Sequence, residues 1–129
     1  MTKSTLSTKG FEDYLEKLAQ AGADIDAVCN EALNAGAQVL HAGMMRRSPR
    51  KTGELRRHIL IKGPFQDGNF HSIKVGVLDV NREKETYFFY QEVGSARTAA
   101  HPYIRPTLDE DKSKARAEML RVFKERGAL

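Results

Sequence analysis

Arg56, Arg57 and His58 stand in a row within "ELRRHILIKG", and Tyr87, Tyr90 and Tyr103 follow further along the chain. These are the side chains a metal-free ribonuclease uses: arginine stabilises the scissile phosphate, and histidine or tyrosine moves protons. Small α+β toxins that cut messenger RNA carry such a set. Strand alternation would equally leave Arg56 and His58 on one wet face with no chemistry to do. The other histidines, His41, His71 and His101, have no partner at a metal-binding spacing, and Cys29 is the single cysteine. A metal site assembled from distant parts would draw on His71, Glu92 and His101. Neither a G-x-S-x-G turn nor a G-x-x-x-x-G-K loop is present, so no motif supports an enzyme and none calls for a cofactor.

The net charge of +4 is mild but unevenly spread. Residues 1–45 carry three lysines against six acids, whereas residues 46–65 carry seven Lys or Arg against Glu54 alone. Those seven are Arg46, Arg47, Arg50, Lys51, Arg56, Arg57 and Lys62. Such a cluster suits DNA phosphates, an acidic protein partner or a solvated rim. The tyrosines and phenylalanines sit mostly in one apolar run rather than among the basic residues, which weakens a pure nucleic-acid-binding reading. A length of 129 residues with 40% hydrophobic and 29% charged residues fits one globular domain. The "YFFY" run is far too short for a spanning helix, and the first ten residues contain no apolar signal-like region. One cysteine fits a reducing cytoplasm.

The elements that must position these residues follow from periodicity. "STKGFEDYLEKLAQAG" reads as a short helix within residues 1–23, with Phe11, Tyr14, Leu15 and Leu18 on one face. Asp24 then caps a long helix over 24–47, whose Gly36 and Gly43 weaken it by about 1 kcal/mol each relative to Ala. Their presence points to another backbone packed closely against them. Residues 54–94 read as an antiparallel sheet. Its strands are Ile59–Ile61, ended by Gly63-Pro64, then the alternating "HSIKVGVLDV", then the aromatic "TYFFYQEVG". "NREKE" is a charged turn between the last two. Residues 95–105 form a loop, and 106–127 a helix capped by Thr107, with Leu108, Ala115, Met119, Val122 and Phe123 as its stripe. The expected class is α+β: a small antiparallel sheet of about three to four strands, packed against N-terminal and C-terminal helices in a single domain.

Two signatures carry a family resemblance. "RRSPRKTGELRRHI" has the form P-x-x-T-G-x-L-R before a strand, at the exit of a long helix. "YFFYQEVGSARTAAHPYIRPTLDE" has an aromatic segment, then E-x-G-[ST], a small polar stretch that reads as flexible, and [HQ]-P-[YF]-[ILM]-x-P at the last helix. In this order the pair resembles the tail-component family of long-tailed phages, whose members act in head–tail joining and tail completion. Over nearly the whole chain, the matching positions are Pro49, Thr52, Gly53, Leu55 and Arg56, then Tyr90, Glu92, Gly94, Ser95, Pro102, Tyr103, Ile104 and Pro106. Val93 stands where an aromatic is often found and His101 where a small or amide residue is common.

The resemblance implies a non-enzymatic virion assembly protein without a cofactor. Its partners would be copies of itself in a ring, six-fold in the particle, together with head-connector and tail proteins and the DNA in the channel, with no membrane. It would be made in the host cytoplasm and end in the virion. The motif positions, apart from Tyr90, would form the subunit or partner interface. The basic segment would line the channel or face an acidic neighbour. Pro102 and Pro106 each hold φ near −65°, so "HPYIRP" should present Tyr103 and Ile104 in a fixed direction, into a neighbour or into the core.

Overall fold

The computed structural model describes residues 3–48, 54–68, 70–96 and 99–128. Pro49, Arg50, Lys51, Thr52 and Gly53, most of the first signature, lie outside them, as do Arg97 and Thr98 in the 95–105 segment. The chain is α+β, with three antiparallel strands covered on one face by helices. No helix among the described residues is long and apolar enough to cross a membrane.

The sheet is assembled from three separated pieces: β1 (Lys3–Ser7), β2 (Ile59–Asp67) and β3 (Phe70–Val77), with β3 in the centre. Along β3 the alternation sends His71, Ile73, Val75 and Val77 to the helical side, all buried. Leu6 of β1 pairs with Ile73, and Ile61 of β2 with Val75, which sets the register of the inner face. On the outer face, Thr5, Lys74 and Lys62 lie in one row across the sheet.

Helix α2 (Ile25–Arg47) lies across the inner face and pairs along its length with α5 (Ile104–Phe123). Asp24 caps α2 as expected, its carboxylate accepting from the Ala27 amide at 3.2 Å. Gly36 meets the neighbouring backbone anticipated for it, whereas Gly43 faces side chains instead. A Cβ at Gly36 would lie 2.6 Å from Leu6 and 3.2 Å from the Ala115 carbonyl, and one at Gly43 would collide with Asp111 Oδ2. Leu33, Leu40, Met44, Met119 and Phe123 fill the space between the helix pair and the sheet. Helix α1 (Glu12–Gln20) adds Leu18, and Phe11 just before it packs 5.1 Å from Phe123.

Four expectations are corrected. Residues 3–7, assigned to the N-terminal helical region, form β1; only Leu6 is fully buried there, so one apolar position gave no alternation to read. Gly63-Pro64 does not end β2: the strand absorbs one extra residue between Lys62 and Phe65 as a bulge and continues to Asp67. Residues ahead of Ile59 form a single helical turn, α3 (Glu54–Arg57). The aromatic "TYFFYQEV" is not a strand. It belongs to α4 (Arg82–Val93), so the sheet occupies only 59–77 of the expected 54–94. Asn81 caps α4, its side chain accepting from the Lys84 amide at 2.8 Å, and Phe88 and Glu92 face inward one turn apart. The β preference of aromatics reflects packing against neighbouring strands, and no strand lies beside them here.

Candidate functional site

The junction between α4 and α5 is built around one carboxylate. Glu92, 7% exposed, accepts from the backbone amides of Tyr103 and Ile104 at 2.9 Å each through Oε1, and from Arg105 at 3.2 Å through Oε2. A helix leaves its first four amides without intrahelical acceptors. In α5 three of these go to Glu92, and the fourth position is Pro106, which has no N–H. The carboxylate also lies at the positive end of the helix dipole. Gly94 ends α4 at φ +82, and the His101 amide donates to the Gln91 carbonyl at 2.8 Å. The expected cap, Thr107, instead lies within the first turn and donates to the Tyr103 carbonyl at 2.6 Å.

Tyr103 and Ile104 point into the core, at 0% and 3% exposure. Burial first, and the nearby Glu92 charge second, push the Tyr103 phenol far above its ordinary value. At 0% exposure it is out of reach of a bound substrate, which removes one member of the ribonuclease set. The remainder is not convergent either. His58 packs against the Phe88 ring at 6.1 Å, Arg57 is exposed, and Arg56 Nε is enclosed without a partner among the described residues. Tyr87 and Tyr90 point outward from α4.

The distant histidines are also held apart. His71 Nε2 lies 2.9 Å from Asp26 at the far end of the sheet, Glu92 caps α5, and His101 is exposed. His41 lies 2.8 Å from the Ile59 carbonyl. Among the described residues no group of three or more His, Cys, Asp or Glu could hold a metal ion.

Three of the seven basic residues of the segment, Arg46, Arg47 and Lys62, are paired with acids. Arg47 contacts Asp111 at 2.7 Å and Glu110 at 2.5 Å, Arg46 contacts Asp111 at 3.2 Å, and Lys62 pairs with Asp79. Asp111 is 2% exposed, and its hydrogen bond from Arg47 holds its carboxyl below the usual carboxylate range. Acids some 60 positions away in sequence thus answer Arg46 and Arg47 at the end of α2.

The surface also keeps large apolar side chains. Among the described residues the exposed large hydrophobic side chains are Phe65, Phe70, Tyr87, Tyr90 and Val93. Tyr87, Tyr90 and Val93 form one stripe at three-residue spacing on α4, whose last two turns expose no charge. Val93, Pro102, Ile104 and Leu108 line a cleft of about 540 Å³, together with Lys3, Glu92, Arg105 and Asp109. Tyrosine-rich, charge-poor surface of this kind is what the centres of protein interfaces are made of.

Residues 9–94 match the family of bacteriophage HK97-gp10-like tail components. The chain belongs to that family. The matched span runs from the start of α1 to the glycine that ends α4, so it includes the first signature, the aromatic helix and Glu92. The "HPYIRP" half of the second signature lies beyond it. No curated protein and no solved structure matches the chain. In this HK97-gp10-like protein, the motif residues Leu55, Glu92, Tyr103 and Ile104 are buried within the chain, while Ser95 and Pro102 are exposed. The exposed α4 stripe was missed in the sequence because a strand would have divided the same aromatics between two faces.

Proposed function

We propose that this tail component is a virion assembly subunit that joins head to tail or completes the tail, acting by binding alone. Copies would close into a ring, six-fold in the particle, around the DNA channel, between head-connector and tail proteins. The family match over residues 9–94 is the observation that carries this reading. The uncharged aromatic stripe on α4 supports it, because a subunit that works by docking must keep apolar surface for its neighbours. Contacts that are weak singly are sufficient in a ring, where closure makes them act together.

Deleting the gene from its phage or prophage and imaging the lysate by electron microscopy tests the role. DNA-filled heads beside separate tails are the expected result, with irregular tail lengths if the subunit ends the tail. Intact infectious particles would overturn the assembly role. Among the described residues of the basic segment, Arg57 is exposed and carries no ion pair, so Arg57→Glu is expected to fold normally and to impair joining in the same assay.

A further inference from the structure

The five large hydrophobic residues exposed among the described residues form two patches, and the patches lie at opposite ends of the sheet. Tyr87, Tyr90 and Val93 adjoin the end where Lys3 pairs with Gly76, and the Pro102–Ile104–Leu108 cleft opens there too. Phe65 and Phe70 project from the other end, at the β2–β3 turn. Phe65 pairs with Ser72 and Phe70 with Asp67, which makes the two rings diagonal neighbours on the outer face. Gly76 lies six positions along β3 from Phe70, about 20 Å of extended chain, so the phenylalanines cannot cover their own subunit's cleft.

We infer that the Phe65–Phe70 knob of one copy docks into the α4 stripe and cleft of the next. This rests on the ring reading above and assigns its two contact surfaces. The cleft is apolar and large enough to admit an aromatic ring. Its lining includes Lys3, Arg105 and Asp109, while Asp67 and Lys74 flank the knob, so each side offers an acid to the other's base. Lys74 already lies over the Phe65 ring at 5.5 Å, which holds its charge beside the knob. Because the patches differ, the contact is heterologous. Each added copy leaves one knob and one cleft free, the condition for closing a ring.

Cross-linking with a short bis-maleimide tests the pairing on the purified full-length protein. The native Cys29 is buried, with its thiol pushed up to about 11 chiefly by burial, so it does not compete. An equimolar mixture of Phe70→Cys and Val93→Cys is expected to give a covalent dimer that neither variant gives alone. Phe70→Asp and Val93→Asp should each weaken self-association about tenfold or more while keeping the native circular dichroism spectrum. Cross-linking of either variant to itself would indicate a symmetric contact and overturn the proposal. Oligomers that persist in both Asp variants, with no mixed cross-link, would overturn it and leave the ring reading standing. A chain monomeric at every concentration would overturn both. Capture of a different phage protein by the Val93→Cys thiol in infected cells, without the mixed dimer, would reassign the cleft to that partner.

Discussion

Glu92 replaces a local cap with a carboxylate supplied from twelve residues upstream, and that choice fixes how α5 leaves α4. Removing it leaves three amides at a buried helix start without acceptors, so Glu92→Ala is expected to cost about 2 kcal/mol or more in urea unfolding. Glu92→Gln should recover only part of this, because a carboxamide keeps one acceptor oxygen and turns a donor toward the same amides. Gly94 contributes through conformation: at φ +82 a side chain is strained, and a Cβ would lie 3.0 Å from the Ala100 amide nitrogen. Asp111 sets a pH dependence. Its carboxyl is depressed in the fold relative to about 3.9 unfolded, so its contribution is complete above that value and is lost as pH falls through the folded one. The stability difference between the native chain and Asp111→Asn should therefore be flat above about pH 5 and shrink below about pH 4 in acid titrations.

At the scale of elements, α4 differs from the rest. It is held through Phe88 and Glu92, whereas α2 and α5 bury whole faces against each other and the sheet. Amide exchange should therefore be faster in 82–93 than in α2 or α5, as local opening follows buried apolar contact. Phe88→Ala, which removes the one large apolar anchor, is expected to cost about 3 kcal/mol and to accelerate exchange in α4 most. The α2–α5 pair is sensitive in the opposite sense. Gly43→Ala would gain helix propensity, yet its Cβ collides with Asp111 and crowds Thr107, so a net loss of about 1–3 kcal/mol in thermal or urea unfolding is expected.

At the scale of the molecule, helices cover one face of the sheet and leave the other open, and the apolar surface that remains is divided between its two ends. A monomer gains nothing from that division. A subunit with one neighbour on each side needs it, because a head-to-tail contact requires two different patches. Charge follows the same principle of closure inside the chain: the basic end of α2 is met by Glu110 and Asp111 of α5 rather than left facing outward. Lys62 is likewise tied to Asp79.

The sequence by itself determined the α+β class, the capped long helix with its two close-approach glycines, the alternation of β3 and the stripe of the last helix. Each of these rests on the local period of burial or on a capping residue, and such signals survive without knowledge of distant partners. It also carried the family signatures. Only the tertiary structure decided the rest. β1 exists because β3 offers it an edge, which a five-residue segment with one buried leucine does not announce. The aromatic run is helical because Asn81 caps it and no strand lies beside it, against the usual preference of its residues. Glu92 finds its amides across a loop, and Arg46 and Arg47 find their acids across the fold. Pairing between residues far apart in the chain is set by packing, and composition within a window holds no record of it.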